Sequence, residues 1–85
     1  MDLICKFVLK DGKVIGESID VYDNHLIVKI GDEFFGIPMD CVVSVGRENV
    51  VVKDFDFERS REVGIRWVEE KSKPLSLEEL KRLGL

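Results

Sequence analysis

The chain has 85 residues, of which 45% are hydrophobic, and its net charge is −4. No apolar run approaches the roughly 20 residues that cross a bilayer, and the N-terminus lacks a basic leader, so we expect a cytoplasmic protein without a membrane partner. The excess negative charge lies within residues 1–52. Nucleic acid is therefore not an expected partner, because phosphates attract positive charge.

Tight turns divide the first two thirds of the chain into short strands. Two-residue hairpin signatures occur at Asp11-Gly12, Asp23-Asn24 and Gly31-Asp32. The apolar and β-branched runs between the turns lie at residues 3–9, 13–22, 25–30, 33–37, 41–45 and 49–57. Gly16 falls inside the second run, which indicates a bulge or a tight bend, and Pro38 ends the fourth. This spacing predicts a mainly β (α+β) fold, a small antiparallel β-barrel of five to six strands.

The character of the sequence changes after Phe57. Residues 58–72 are rich in Glu, Arg and Lys without β-type alternation, which predicts a helix despite Gly64. Val63 and Trp67 lie four residues apart and share a face of that helix. Trp67 either packs the helix onto the barrel or serves as an exposed anchor for a partner.

A second C-terminal helix is predicted after Pro74. Ser76 and Glu79 form a capping box, and Gly84 is suited to end the helix. Leu80 and Leu83 continue an apolar stripe that either covers the barrel or docks into a partner. The whole chain, residues 1–85, is then one domain with a β-barrel over 1–57 and a helical segment over 58–85.

Several segments together resemble the PRC-barrel domain. They are residues 11–16, 26–29, 35–38, 43–46 and 50–52, which carry the turns, an Ile-Pro step and a valine-rich strand. The short, charge-rich chain is also similar to a small uncharacterised archaeal β-barrel family in which calcium binding is an expectation. The PRC-barrel resemblance implies a protein-binding or assembly module rather than an enzyme, and it transfers no catalytic residue.

The residues themselves also argue against catalysis. His25 is the single histidine, so no Ser-His-Asp set can be recognised, and no glycine-rich phosphate loop precedes a helix. Cys5 and Cys41 lack metal-ligand spacing and are predicted to be reduced, buried packing residues. We therefore expect no enzyme activity and no required cofactor.

One stretch suggests a metal. Residues 53–58, KDFDFE, place Asp54, Asp56 and Glu58 on one face if the strand continues through them. Calcium would relieve the repulsion between these carboxylates, although the segment does not follow the EF-hand pattern. The other readings are a solvated strand face and an acidic patch for a partner.

The sequence therefore favours a non-enzymatic β-barrel that binds a protein partner or self-associates as an assembly module. Trp67, Leu80 and Leu83 are the candidate partner-binding residues. The alternative function is calcium binding by Asp54, Asp56 and Glu58, the candidate metal ligands.

Overall fold

A curled six-stranded sheet carries one α-helix on its outer face in the computed structural model, which describes residues 3–71. The elements in chain order are β1 (Phe7–Lys10), β2 (Lys13–Tyr22), β3 (His25–Ile30), β4 (Glu33–Pro38), a 3-10 turn (Met39–Cys41), β5 (Val42–Val45), β6 (Asn49–Val52) and α1 (Phe57–Lys71). The mainly β prediction is confirmed. All three predicted hairpin turns are present, with positive φ at Asp11, Gly12, Asp23, Asn24 and Gly31.

The sheet is open rather than closed into a barrel, which corrects the prediction. Its strand order is β4-β3-β2-β1-β6-β5, so β4 and β5 form the two edges. The pair of β1 and β6 is parallel, and the sheet is therefore mixed rather than wholly antiparallel. Pro38 ends β4 without an N–H to donate, and the 3-10 turn then leads the chain to the far edge instead of closing the sheet.

Of the two predicted C-terminal helices, only the first falls within the described residues. Within residues 3–71 there is one α-helix, and the predicted second helix falls on residues 76–84, outside the described part of the chain. None of the described helical residues form a helix long and apolar enough to cross a membrane. The α-helical prediction for residues 58–72 is confirmed within one residue at each end.

Apolar side chains from both halves of the sheet form the core on its inner face. The buried set is Val8, Leu26, Val28, Ile37, Val50 and Val52. Leu26 pairs with Ile37 across β3 and β4, which confirms the alternation predicted for β3. Ile27 points to the opposite face and is nevertheless fully buried, because α1 packs over β4 and β3 on that side.

Two glycines allow α1 to lie directly on the backbone of β4. A Cβ on Gly64 would meet the carbonyl oxygen of Phe34 well inside van der Waals distance. A Cβ on Gly36 would overlap the side chain of Val63 in the same way. Gly64 therefore lowers the helix propensity of α1. It also lets α1 approach the backbone of β4 more closely than any residue with a Cβ would allow.

Two buried serines differ in their hydrogen bonds. Ser18 donates from Oγ to the Leu3 carbonyl at 2.6 Å and accepts from the Lys6 N–H at 3.0 Å. Ser60 in α1 is only 2% exposed, and its Oγ has no hydrogen-bond partner among residues 3–71. The prediction that both cysteines are buried is wrong for Cys5, which is exposed with φ of 62°, and Cys41 is only half-buried.

Replacing Gly64 by alanine is expected to destabilise the protein by about 2 to 3 kcal/mol, because the new methyl group meets backbone atoms that cannot rotate away. The same change on an exposed helix surface stabilises by about 1 kcal/mol. Urea unfolding measures the difference, with Glu62→Ala as the control at a neighbouring exposed position. A stabilised Gly64→Ala variant would contradict the close contact with Phe34.

The two serines give a matched pair of variants with opposite signs. Ser60→Ala is expected to stabilise by about 1 kcal/mol, since it removes an unpartnered buried hydroxyl and improves helix propensity. Ser18→Ala is expected to destabilise by about 1 to 3 kcal/mol, because it leaves buried backbone groups unpaired. Thermal and urea unfolding of both variants checks the prediction, and a loss of stability in Ser60→Ala would refute it.

Candidate functional site

The three candidate metal ligands lie at the junction between β6 and α1. Because β6 ends at Val52, these carboxylates do not form a row on a strand face, which corrects the strand-based argument. Asp54 pairs with Lys10 Nζ at 2.9 Å, and Asp56 Oδ1 accepts the Arg59 N–H at 3.2 Å. Glu58 lies in the first turn of α1, where negative charge favours the positive end of the helix dipole.

Two of these carboxylates therefore already have partners within the fold. The Lys10 ammonium, through its hydrogen bond, lowers the pKa of Asp54 below its ordinary value. Among residues 3–71, no group of three or more His, Cys, Asp or Glu side chains is arranged to hold a metal ion. Calcium binding stays a prediction, and any such site must compete with Lys10 for Asp54.

Aromatic contacts attach the beginning of α1 to the sheet. Phe57 packs edge-to-face on Phe35 with 5.6 Å between ring centroids, and Phe55 lies 4.7 Å from Phe57. Phe55 also packs against the core cluster, whereas Phe57 is half exposed. The aromatic residues between the acids thus fix where the helix starts.

Trp67 attaches the other end of α1. Its ring lies 5.3 Å from that of Phe34, and Nε1 donates a hydrogen bond of 2.8 Å to Asp20 Oδ2. Lys71 reaches the same carboxylate oxygen at 3.7 Å. The half-buried Trp67 therefore has a packing role within the fold. The other candidate partner residues, Leu80 and Leu83, lie outside the described residues.

Part of the outer sheet face carries apolar side chains that no other residue among 3–71 fully covers. We define the open sheet face as Phe7, Leu9, Val14 and Val51. Leu9 pairs directly with Val14 on one side and with Val51 on the other, and Phe7 lies two residues from Leu9 on the same face. Phe7 is 53% exposed and Val14 is 58% exposed. On the edge strand β5 beside this face, Val43 is 62% exposed.

Two depressions flank α1 where it crosses the sheet. An apolar groove of about 220 Å³ includes Phe34, Ile65 and Val68, with an ion pair of 2.7 Å between Arg61 and Glu33 at its rim. A second, more polar cavity of about 450 Å³ lies on the other side. We define the polar cavity by its lining residues His25, Gly36, Pro38, Asp56, Arg59, Ser60, Glu62, Val63 and Arg66.

Sequence reasoning missed both the open sheet face and the polar cavity. The open sheet face could have been predicted, because Phe7 and Leu9 are apolar and alternate with Val8, so both faces of β1 are apolar. The polar cavity had no comparable signal. His25 and Arg59 lie more than 30 positions apart, and only the crossing of α1 over the sheet brings them together.

Calcium is expected to bind residues 54–58 only in the millimolar range, because Lys10 already neutralises Asp54. The variant Lys10→Gln removes that competitor and should bind calcium more tightly. Adding Asp56→Asn to Lys10→Gln should abolish calcium binding. Backbone amide shifts during calcium and magnesium titrations measure both effects. If the wild type bound calcium at micromolar concentration, Lys10 could not be a competitor for Asp54. If neither the wild type nor Lys10→Gln showed calcium-dependent amide shifts, the calcium hypothesis would be rejected.

Acid is expected to loosen the C-terminal end of α1. The Trp67 hydrogen bond, followed by that from the Val21 N–H, lowers the pKa of Asp20. A lowered carboxyl pKa in the folded state means that the stabilisation is present at neutral pH and is lost as pH falls through that pKa. Trp67 fluorescence should therefore change with a midpoint below the ordinary Asp value of about 3.9.

The matched variant for this titration is Asp20→Asn, whose amide oxygen still accepts from Trp67 but does not titrate. We expect the fluorescence transition to disappear in this variant before global unfolding begins. An unchanged acid transition in Asp20→Asn would show that another carboxyl group is responsible.

Comparison with known proteins assigns the chain to a family. A family model described as "Family of unknown function (DUF5749)" matches residues 4–81, which is most of the sequence. The chain belongs to this family. No curated protein matches the sequence.

Proposed function

We propose that this DUF5749 member is a non-enzymatic assembly module that binds a protein through its open sheet face. The cross-strand row of Val14, Leu9 and Val51, extended by Phe7, is the observation that carries the proposal. Phe7 and Val14 are exposed, and Leu9 and Val51 are half-buried. Large contiguous apolar patches are uncommon on monomeric proteins and mark sites of interaction when they occur.

The contrast between the two halves of the outer sheet face supports this function. On β3 and β4, the helix α1 packs over the sheet and buries Ile27 completely. The apolar residue of that half is therefore already covered within the chain. Over β1 and β2, Phe7 and Val14 each expose more than half of their surface. Within residues 3–71, these two side chains are therefore accessible to another protein.

The simplest partner that fits this surface is a second copy of the chain. An apolar face can pack against itself about a two-fold axis, which is the commonest symmetry of protein oligomers. The charged residue on this face is Glu17, which pairs with Phe7, whereas Lys13 pairs with Lys10 on the opposite face.

Sedimentation velocity over a wide concentration range tests the proposal on the full chain. The wild type is expected to form a concentration-dependent dimer. Phe7→Lys and Val14→Lys are expected to remain monomeric, because each places an unpaired charge in the centre of the contact. Both positions are exposed in the single chain, so stability should change by less than about 0.5 kcal/mol.

The matched control is Ile65→Lys, which makes the same chemical change at a half-exposed residue of the apolar groove. Its association should equal that of the wild type. Association lost in Ile65→Lys but kept in Phe7→Lys would assign the interface to the groove. A wild type that stays monomeric at millimolar concentration would reject self-association through the sheet.

A further inference from the structure

We infer that the polar cavity between α1 and the β3–β4 hairpin binds the phosphate group of a small molecule. This inference does not depend on the proposed assembly function, since the open sheet face shares no residue with the cavity. Its evidence is the single histidine of the chain together with a buried hydroxyl and two guanidinium groups that have no partners among residues 3–71.

Ser60 provides the first observation. It lines the polar cavity and is 2% exposed, and its Oγ has no hydrogen-bond partner among residues 3–71. A buried hydroxyl without a partner is costly, and natural proteins nearly always satisfy such groups. Because Oγ is enclosed in this structure, a phosphate oxygen in the cavity becomes the missing partner once the Ser60 side chain rotates toward it.

The two arginines of the polar cavity are also without ion-pair partners. Within the part of the chain that the structure describes, neither Arg59 nor Arg66 forms a salt bridge. Arg61, on the same helix but at the apolar groove, is paired with Glu33 at 2.7 Å. Among the three described arginines of α1, the two without an ion pair in residues 3–71 are thus those on the cavity side, where they can donate to phosphate oxygens in a forked geometry.

His25 favours phosphate over a carboxylate ligand. Its Nδ1 lies 2.5 Å from the carbonyl oxygen of Asp23, which only accepts hydrogen bonds, so Nδ1 carries the proton and donates. In the neutral ring, Nε2 is then an acceptor. A singly protonated phosphate group, whether inorganic hydrogen phosphate or the monoanion of a phosphate ester, has both oxygens that accept from arginine and a P–OH that donates to Nε2, whereas an ionised carboxylate has no donor.

The two acids at the polar cavity limit the affinity. Asp56 Oδ1 accepts the backbone N–H of Arg59, so this oxygen is used to cap α1. Glu62 has no such bond among the described residues and opposes a bound anion. The volume of about 450 Å³ exceeds what a phosphate needs, and Pro38 and Val63 offer apolar surface for a small organic group. The expected ligand is therefore a phosphate ester, with free phosphate as a weaker analogue.

Amide and His25 side-chain NMR shifts of the full-length protein test the inference, with inorganic phosphate, glycerol phosphate and acetate added at constant ionic strength. Phosphate is expected to give saturable shifts at residues 25 and 56–66, and glycerol phosphate should bind more tightly. Acetate should give no saturable shift. An equal response to acetate would overturn the assignment of phosphate, and no saturable response to either phosphate compound would overturn the site.

Three charge-neutralising variants of α1 measure how individual side chains contribute to phosphate binding in the polar cavity. Arg66→Gln is expected to weaken phosphate binding about tenfold, since it removes a charge-assisted hydrogen bond. Arg61→Gln is the matched control on the same helix and should leave the affinity unchanged. Glu62→Gln should tighten binding, because it removes the opposing charge. Equal losses in the two arginine variants would overturn the inference by showing only non-specific attraction.

Ser60→Ala provides the sharpest variant, because its two expected effects have opposite directions. It should weaken phosphate binding several-fold while it raises the unfolding midpoint. Loss of binding therefore could not be attributed to a damaged fold. Unchanged phosphate affinity in Ser60→Ala would show that water, rather than ligand, satisfies the hydroxyl, and would overturn the role of Ser60.

Discussion

The close contact between α1 and the backbone of β4 is the constraint on which the rest of the structure depends. Gly64 lies against the peptide of Phe34, and Val63 occupies the space left by Gly36. A helix held this close buries Ile27 on the outer face of β3. The edge strand β4 is at the same time covered by a helix, which is one way in which proteins protect unpaired sheet edges.

This contact also determines where binding surfaces can form. Because α1 lies across β4 and β3, it creates a polar cavity on one flank and an apolar groove on the other. Within residues 3–71, it also leaves Phe7 and Val14 on the outer face of β1 and β2 exposed. The two proposed functions, protein assembly and phosphate binding, thus follow from one placement of one helix.

Charged residues of this acidic chain act largely as structural connections. Lys10 joins β1 to Asp54, and Asp20 joins β2 to Trp67 and Lys71 at the end of α1. Exposed pairs of this kind contribute little stability individually. Their effect is to fix the position of α1, together with the aromatic contacts of Phe57 and Trp67.

The sequence by itself determined the local structure: the hairpin turns, the alternation within β3 and the helix after Phe57 all follow from short-range backbone preferences and periodicity. Tertiary structure alone decided that the sheet stays open, that β1 and β6 run parallel, and that Asp54 pairs with Lys10. It also placed His25 and Ser60 in the lining of the same polar cavity. These outcomes depend on contacts between residues far apart in the chain. Local sequence patterns report only the preferences of neighbouring residues and therefore do not predict such contacts.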